Sequence, residues 1–483
     1  MNRPAVLLVA VSALAQQALA PRIAERLTAN SLRADVSFLA SDALRGRATP
    51  SRGLEIAAEY IAAQFRRAGL EPGGDEGYFE NSPYRRVTPD TAGLSLTFET
   101  GDARIAAGAA SMNLLEAAAL DLAHAPVVSA TLNNAASLNA LTAEQVRGKA
   151  LLLIVPTDTP PSLTRGIPAV IDRLDPALVI TVRSKGVARP PRARLRDTSA
   201  HAFHVPVLAV WDPAIRAAAA NGKPATVSVH IAAPVVAGVK LRNVIGVLRG
   251  SDAALKNSYL LLTAHYDHLG VRGKGEGDHI YNGANDNASG VASVIEIANA
   301  LAALPVRPKR SIVFLTFFGE EKDLLGSEYY AHHPGFPLAR TIADINLEQL
   351  GRTDDSEGPH IGLLNLTGAG FTNIAEVFRR AGEETGIGIV TDEGNSDRYF
   401  ASSDNLALAE VGVPSTTVSV SYEFPDYHLP GDEWPKLDYS NMAKVDSAIA
   451  LAVFEMANSR QAPVWNVANP KTEPFVKARV LRP

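Results

Sequence analysis

The sequence predicts an α/β protein in which a mostly parallel central sheet is flanked by helices in three layers, with a second, β-rich domain inserted into it. Three observations lead to this fold class. After Asn243, apolar runs typical of buried strands alternate with helical patterns, as they do in layered α/β domains. Between roughly residues 90 and 235, the chain instead contains short β-type runs separated by loops. Residues 53–69 carry apolar side chains at helical spacing and end before Pro72-Gly73-Gly74.

The individual elements follow from the periodicity of the apolar residues. Residues 53–69 are predicted to form an amphipathic helix, because Ala57, Ile61 and Phe65 recur on one face. Residues 288–304 are predicted to form a second helix with an apolar face. Continuous apolar runs predict buried strands at Leu151–Val155, Leu178–Val182, Val205–Val210, Tyr259–Ala264, Ile312–Phe318, Ile342–Leu347 and Ser415–Val420.

Changes in composition divide the chain into five segments. A chain of 483 residues has room for two or three domains at roughly 150 residues each. The segments are a leader (1–20), the amino-terminal part of the main domain (21–105), the β-rich insert (106–235), the region of α/β alternation (236–460) and a surface-lying carboxyl-terminal tail (461–483).

The overall composition is that of a globular protein and narrows the choice of ligands. Hydrophobic residues make up 46% and charged residues 20%, and the formal net charge is −5, which gives no reason to expect a nucleic-acid partner. The basic run Arg189–Arg196 is interpreted as a solvated loop. The chain has no cysteine, which excludes disulfides and thiolate metal sites. Any metal must therefore be bound by His, Asp and Glu.

Residues 1–20 have the layout of a secretory signal peptide. Arg3 precedes a short apolar run from Ala5 to Ala15, and small residues follow, so cleavage is expected after Ala15 or near Ala20. No later stretch approaches 18 uninterrupted apolar residues, and no membrane span is predicted. We therefore expect an exported protein, either periplasmic or secreted.

Acidic and histidine residues follow the predicted strands directly. His265 and Asp267 come after the strand Tyr259–Ala264, Glu320-Glu321 after Ile312–Phe318, and Glu348 after Ile342–Leu347. Ligand sites in open α/β sheets form at the carboxyl ends of strands, so these side chains are expected at one edge. Two loops contribute further candidates, Asp286 and His428.

This set of side chains suits a metal centre. Two imidazoles and several carboxylates favour zinc, with manganese or cobalt as substitutes. Five ligands exceed the three protein groups usual for one catalytic zinc, which favours two ions sharing a carboxylate. Of the adjacent pair Glu320-Glu321, one carboxylate can bind metal while the other takes a proton from the attacking water.

Five motifs in this region resemble the di-zinc exopeptidase family that includes bacterial leucyl aminopeptidase, aminopeptidase Y and glutamate carboxypeptidase. The resemblance rests on TAHYDHLG (263–270), YNGANDNASG (281–290), FFGEEKDLLGSEYY (317–330), INLEQLGR (345–352) and YHLPGDEW (427–434), which occur in the family's order. The segment LRNVIGVLRGS (241–251) is also similar to the family, and VRGKALLLIVP (146–156) in the insert resembles a protease-associated domain. The resemblance implies a three-layer zinc-exopeptidase-like domain with a protease-associated insert.

The resemblance also implies a role for each candidate residue. One zinc would have His265 and Glu348 as terminal ligands, and the other would have Glu321 and His428. Asp286 would bridge the two ions. The remaining roles would be general base and acid for Glu320, orientation of the His265 ring for Asp267, and a hydrogen bond to the tetrahedral intermediate for Tyr427.

The sequence departs from the family pattern at two places. Glu348 stands where many members have Asp, which makes the nearby Asp344 an alternative ligand. Ser403-Asp404-Asn405 has Asn where the family has His. Three further residues close to the ligands are interpreted as loop residues, with His268 as a possible support for a ligand: His268, Asp278 and His279.

The predicted function is that of a zinc aminopeptidase that hydrolyses amino-terminal residues from peptides through a metal-bridging hydroxide. A carboxypeptidase or dipeptidase on the same site is the first alternative, because Arg352 or Arg398 could bind a terminal carboxylate. A one-zinc glutaminyl cyclase and a non-catalytic receptor-like binding protein are further alternatives. The insert would either cover the mouth of the site or serve as an accessory packing domain. No feature of the sequence indicates an oligomeric state.

Overall fold

The computed structural model describes residues 19–157, 159, 166–198, 204–356 and 358–481. These residues divide into two compact units. The inserted unit is Pro83–Val239, and the main unit consists of the described residues up to Ser82 together with those from Lys240 onward. The predicted leader, residues 1–20, falls almost wholly outside the described residues, so its removal and the export of the protein stay predictions.

The helices begin and end at the following residues: α1 (Leu19–Ala24), α2 (Ala29–Leu39), α3 (Arg52–Arg67), α4 (Ala135–Asn139), α5 (Ala143–Val146), α6 (Ile167–Leu174), α7 (Pro213–Ala220), α8 (Gly290–Ala302), α9 (Leu325–His332), α10 (Ile374–Thr385), α11 (Glu393–Tyr399), α12 (Asn405–Glu410), α13 (Tyr439–Asn458) and α14 (Glu473–Val480). Within the described ranges, none of the helices is both long enough and apolar enough to cross a bilayer.

The strands begin and end at the following residues: β1 (Glu71–Pro72), β2 (Phe79–Asn81), β3 (Tyr84–Thr88), β4 (Ser95–Thr100), β5 (Ala103–Ala106), β6 (Met112–Glu116), β7 (Leu120–Thr131), β8 (Ala150–Ile154), β9 (Leu178–Val182), β10 (Arg194–Asp197), β11 (Val207–Val210), β12 (Ala225–Ile231), β13 (Val235–Gly238), β14 (Arg242–Leu248), β15 (Tyr259–His265), β16 (Gly270–Val271), β17 (Ile280–Tyr281), β18 (Ser311–Phe317), β19 (Thr341–Leu347), β20 (Asp354–Asp355), β21 (Gly358–Pro359), β22 (Leu363–Leu366), β23 (Gly388–Val390) and β24 (Ser415–Ser419).

The main unit is built on a nine-stranded sheet. Eight strands follow the order β1-β14-β18-β15-β19-β24-β22-β23, and the ninth, β2, pairs with β14 next to β1. The four central strands β18, β15, β19 and β24 are parallel to one another. Strands β14 and β22 flank them in the antiparallel direction. Because the four central strands are parallel, their carboxyl ends meet at one edge of the sheet, where a ligand site is expected.

Helices cover both faces of this sheet. On one face, Ile245 and Val247 of β14 belong to a buried cluster with Tyr330 of α9 and Leu408 of α12. On the other face, a Cβ at Gly246 would lie 2.9 Å from the Phe65 ring of α3, so the glycine allows close packing of that helix. Helices α8 and α13 also pack on that face. The main unit therefore has the three layers that the sequence predicts.

The inserted unit is β-rich, with an eight-stranded sheet in the order β5-β4-β12-β7-β8-β9-β11-β6 and a three-stranded sheet in the order β10-β3-β13. Neighbouring residues of β8 face separate cores: Leu152 packs with Phe98 and Ile180, while Leu151 and Leu153 pack with Ile171 of α6. Both faces of the larger sheet are therefore covered by apolar side chains.

The predicted boundaries of the insert, 106–235, need correction. Strand β3 pairs with β10 and β13, and β4 pairs with β5 and β12, all of which belong to the inserted unit. The insert therefore begins at Pro83, and the main domain resumes at Lys240.

The prediction of a surface-lying tail over 461–483 is wrong for part of that segment. Trp465 is 5% exposed, packs with Phe371 and Phe400, and donates from Nε1 to the Gly412 carbonyl at 3.0 Å. Helix α14 follows it. A single aromatic anchor has no periodicity, which is why the pattern of the sequence did not reveal it.

Candidate metal centre

Three neighbouring parallel strands bring the predicted site residues to one edge of the main sheet. Strand β15 lies between β18 and β19, with Ala264 opposite Thr316 and Thr263 opposite Asn346. His265 is the last residue of β15, Glu320 follows β18, and Glu348 follows β19 directly. The side chains thus come from adjacent strand ends, as the sequence predicts.

Asp286 reaches the same edge from the turn 284–289, which precedes α8. Both Asn285 and Asp286 donate their backbone N–H groups to the Asp432 carboxylate, at 2.9 and 3.0 Å. The Asn285 side chain accepts from the backbone N–H of Gly351 at 2.7 Å and of Arg352 at 3.0 Å. These buried hydrogen bonds fasten the turn to the segment that follows Glu348, which limits the positions that the Asp286 carboxylate can take.

One group of predicted ligand atoms lies around His265 Nε2. His265 Nε2 lies 3.3 Å from Asp286 Oδ1 and 3.4 Å from Glu348 Oε1. His265 is 1% exposed, and the two carboxylate side chains are largely buried. The Ser403 hydroxyl donates to Glu348 Oε1 and orients that carboxylate.

A second group surrounds a neighbouring position. His428 Nε2 lies 3.1 Å from Asp286 Oδ2 and 3.4 Å from Glu321 Oε1. His268 Nδ1 lies 2.8 Å from Glu321 Oε1 and 3.7 Å from Asp286 Oδ2. The two oxygens of Asp286 therefore face different groups, which is the arrangement required of a bridging carboxylate.

These distances test whether the residues fit zinc. Donor atoms that share a tetrahedral zinc at 2.0–2.2 Å lie roughly 3.3–3.6 Å apart, close to the separations within the two groups. In addition, His268 Nδ1 and Glu321 Oε1 are buried, and neither forms a hydrogen bond of regular geometry with a described residue. Buried polar atoms without such bonds are costly unless another group satisfies them. The residues fit a metal pair in which Asp286 is shared.

Asp267 lies behind the ligands and ties two of the predicted residues together. Its carboxylate accepts from the backbone N–H of Glu320 at 3.1 Å and from the Thr49 hydroxyl at 2.8 Å. His265 Nδ1 is 3.3 Å from the Asp267 carbonyl and 3.6 Å from its carboxylate. Asp267 is therefore placed to hold both the His265 ring and the start of the Glu320 turn.

The electrostatics of the cluster reflect an excess of buried carboxylates. Burial raises the pKa of Glu320 well above its usual value, although His265 opposes this shift. Burial alone would also raise the pKa of Glu321, but His268 and His428 lower it to about 2. Burial would lower the pKa of His428, but Asp286 and Glu321 raise it to about 10. Each imidazole is thus held by carboxylates, and a bound cation would neutralise the surplus negative charge.

The remaining predicted residues occupy distinct positions. Tyr427 lines the cavity next to the cluster, is 42% exposed, and stacks on the His428 ring with a centroid distance of 4.0 Å. Asp344, the alternative to Glu348, is buried inside β19 and accepts from the Thr263 hydroxyl at 2.9 Å, so the structure favours Glu348. Asn405 donates to the Phe400 carbonyl, away from the cluster. Asp278 and His279 lie in an exposed loop, as predicted.

The sequence interpretation gave one residue near the cluster a lesser role and missed another. His268 was assigned to a loop, as a support for a ligand, whereas its side chain is fully buried directly against Glu321 and Asp286. Arg47 received no role, yet it is 1% exposed and donates to the carbonyls of Tyr266 at 2.9 Å and Asn282 at 2.7 Å. The placement of His268 three residues after His265 was a usable signal, whereas nothing local distinguishes Arg47 from the other arginines.

An α/β sheet that gathers carboxylates and imidazoles at its strand ends is typical of a metal-binding domain. Residues 243–453 match the sequence model described as "Peptidase family M28". Aminopeptidase YwaD of Bacillus subtilis (strain 168) is 26% identical over 229 residues, which are 46% of this chain and 46% of the relative. A probable zinc metalloprotease of Pyrenophora teres f. teres (strain 0-1) is 27% identical over 245 residues, 47% of this chain and 50% of the relative.

The chain thus spans about half the length of the curated relatives that it matches. Among solved structures, an aminopeptidase from Aneurinibacillus sp. strain AM-1 has a TM-score of 0.51 at 20% identity, covering 93% of this chain and 98% of that chain. This likeness confirms the predicted fold class. The match of residues 243–453 to the peptidase family M28 model confirms the resemblance drawn from the five motifs.

Proposed function

We propose that the main unit is a zinc-dependent exopeptidase with two metal ions, and that it releases amino-terminal residues from peptides. The observation that carries this proposal is the charge of the cavity beside the cluster, which has a volume of about 300 Å³. Five carboxylates line it, and none of the described lining residues is Lys or Arg: Asp286, Glu320, Glu321, Asp323 and Glu348. With two zinc ions bound, the charges of Asp286, Glu320, Glu321 and Glu348 would be balanced and that of Asp323 would remain. The loaded cavity would then favour a cationic amino terminus over a terminal carboxylate, for which the described lining residues offer no Lys or Arg.

The two arginines that would support a carboxypeptidase are already paired with carboxylates. Arg352 Nε donates to Asp354 Oδ1 at 2.7 Å, and its Nη1 donates to Asp426 Oδ2 at 2.7 Å. Arg398 Nη2 is 3.4 Å from Glu423 Oε1. Neither arginine lines the cavity. This pairing supports the aminopeptidase over the carboxypeptidase or dipeptidase alternative.

When bound, two zinc ions would supply a Lewis acid for the scissile carbonyl and a water of lowered pKa. Glu320 would accept the proton of that water and return it to the leaving amine. Glu320 Oε2 lies 4.0 Å from His265 Nε2, farther than the carboxylate oxygens of Asp286 and Glu348. Glu320 is therefore next to the first group of atoms but outside it. Tyr427 would donate its hydroxyl hydrogen to the developing oxyanion. Asp267 would hold Glu320 in position by accepting a hydrogen bond from its backbone N–H, and would orient the His265 ring by its charge.

The experiment that tests the proposal combines metal analysis with a substrate panel. The full chain, loaded with zinc, is assayed on unblocked aminoacyl nitroanilides, on the same compounds acetylated at the amino group, and on amino-blocked dipeptides with a free carboxylate. Glu320→Gln is compared with Glu328→Gln, a partly exposed glutamate of α9. We expect about two zinc ions per chain in every variant, turnover of unblocked compounds alone, and a loss in kcat of about 10²–10⁴ for Glu320→Gln only.

Other results would assign the site differently. Turnover of the amino-blocked dipeptides alone would favour the carboxypeptidase alternative. Cyclisation of amino-terminal glutamine with one zinc per chain would favour a glutaminyl cyclase. Bound zinc without turnover of any compound would favour a receptor-like binding protein, and a folded chain that binds no zinc would refute the metal centre.

A further inference from the structure

The inserted unit contains a second cavity whose lining is strongly basic. Its volume is about 1120 Å³, and its cationic lining residues are Arg183, Lys185, Arg189, Arg192 and Arg194. None of the described residues that line it is Asp or Glu. The cavity lies within residues 91–211, so it belongs to the inserted unit alone.

These positive charges are largely uncompensated. Of the five cations, Arg194 has a carboxylate nearby, Glu116 at 3.7 Å, and Glu116 is shared with Arg196. Arg183 Nε is buried and has no hydrogen-bond partner in the described part of the chain. The other four cations are exposed, so water and salt screen their mutual repulsion, whereas the unpaired buried donor of Arg183 is costly. An anionic ligand would supply a partner for Arg183 and be attracted by the exposed charges.

Hydrogen bonds and close packing hold the lining segment 186–189 against the sheet of the inserted unit. The Asn113 side chain of β6 donates to the Val187 carbonyl and accepts from the Arg189 N–H, both at 3.0 Å. Gly186 lies directly on the Trp211 ring, since a Cβ there would be 2.2 Å from a ring carbon. Residues 189–194 are exposed, as the interpretation of a solvated loop expects, and these contacts attach the start of that segment to the cavity wall.

The cavity also offers a strand edge. Strand β6 is the last strand of the eight-stranded sheet, paired with β11 on one side, and residues Met112–Leu115 line the cavity. An edge strand can pair with the main chain of an added extended segment. The volume of about 1120 Å³ is at the upper end of the roughly 300–1,000 Å³ typical of small-molecule sites, which leaves room for a short extended segment.

We infer that this cavity binds an acidic peptide segment in an extended conformation. The cations would receive the carboxylates, the edge of β6 would receive the main chain, and Trp211 would provide an apolar wall. This inference does not depend on the proposed peptidase chemistry, because every residue it uses lies in the inserted unit.

The test measures binding of a fluorescent octapeptide of alternating Glu and Val, capped at both ends so that an exopeptidase cannot degrade it. The full chain is compared with the double variant Arg189→Gln/Arg192→Gln. The matched control is Arg104→Gln/Arg147→Gln, which removes the same charge from two side chains of the inserted unit that are 75% and 69% exposed and lie outside the cavity. We expect the cavity variant to weaken binding at least tenfold and the control less than twofold.

Four probes separate this ligand from others. A peptide with Gln in place of Glu should bind at least tenfold more weakly, and an acidic peptide with alternate N-methylated amides should lose binding if main-chain pairing contributes. Equal binding of either peptide, or an equal loss in both double variants, would overturn the inference. Displacement by inorganic phosphate beyond that by chloride at equal ionic strength would indicate a small-anion site, and tighter binding of a single-stranded oligonucleotide would indicate a nucleic-acid site; both would overturn it as well.

Discussion

At the residue scale, Arg47 shows how a buried cation organises an acidic site without being a ligand. Its guanidinium donates to Tyr266, Asn282 and Gly283 carbonyls, and so joins the segment after β15 to the turn that carries Asp286. Burial lowers its pKa to about 10, although Asp267 and Asp432 counteract this shift, so Arg47 remains protonated at neutral pH. Its charge also offsets part of the surplus of carboxylates.

Replacement of Arg47 by Lys should therefore weaken zinc binding while leaving one positive charge in place. A single ammonium cannot reach carbonyls on both segments as the forked guanidinium does. We expect a 10–100-fold loss in zinc affinity, typical in order of magnitude for residues that support metal ligands. Competition with a fluorescent chelator measures this loss on the zinc-free protein, independently of turnover.

The control for Arg47→Lys is Arg52→Lys, because the Arg52 side chain is 81% exposed and pairs only with Glu55 in the described part. The control should change zinc affinity by less than twofold. Unchanged affinity in Arg47→Lys would mean that its hydrogen bonds stabilise the fold alone.

At the element scale, the contact between α8 and α13 contains a buried acid whose titration should be visible in stability. Asp446 of α13 accepts from the Ser293 hydroxyl of α8 at 2.9 Å and is fully buried. Burial raises its pKa from 3.8 to about 8. Between these values the folded protein keeps the proton and the unfolded chain loses it, so stability falls as pH rises, by at most about 1.4 kcal/mol per pH unit.

Asp446→Asn should remove this dependence. The difference in unfolding free energy between variant and wild type should increase by about 2–3 kcal/mol from pH 5 to pH 7, in favour of the variant. Thermal unfolding at several pH values measures it, with the exposed Asp102→Asn as control. A difference that does not change with pH would show that Asp446 has the same proton affinity in both states.

The elements that could be predicted from the sequence are those whose pattern is local. The strand predicted at Tyr259–Ala264 is observed at Tyr259–His265, because parallel strands buried on both faces are continuous apolar runs. The change to short β-type runs near residue 90 was visible in the sequence, but the boundary of the insert could not be placed in this way. Strand β4 is paired with β12, more than 120 residues later, and that pairing leaves no local trace.

The same distinction holds for the candidate centre. Residues at strand ends, such as His265 and Glu348, were found because the end of an apolar run marks the edge of a sheet. His268 and Arg47 depend on contacts with residues far along the chain, and their burial becomes visible only in the fold. The roles assigned to the ligands and to Glu320 stay predictions until the metal content and turnover are measured.

At the scale of the whole molecule, each of the two units has its own hydrophobic core. The inserted unit has two apolar clusters, around Phe98 and Leu151, whereas the main unit has a separate one around Phe317. The predicted metal ligands all belong to the main unit. A ligand that binds only the folded state stabilises the part of the chain that forms its site.

Removal of zinc with a chelator should therefore act on one unit. We expect the unfolding temperature of the main unit to fall on the order of 10 °C, because the loss of tightly bound metal removes several kcal/mol of stability. Hydrogen exchange should increase in β15 and in the turn 284–289, where the ligands lie, and stay unchanged in β8 and β9 of the inserted unit. In the double variant Glu348→Gln/His428→Ala, whose zinc ligands are removed, the chelator should shift the unfolding temperature by less than about 2 °C. Equal loss of protection in both units would contradict the separation of their cores, and no change in either would contradict the metal centre.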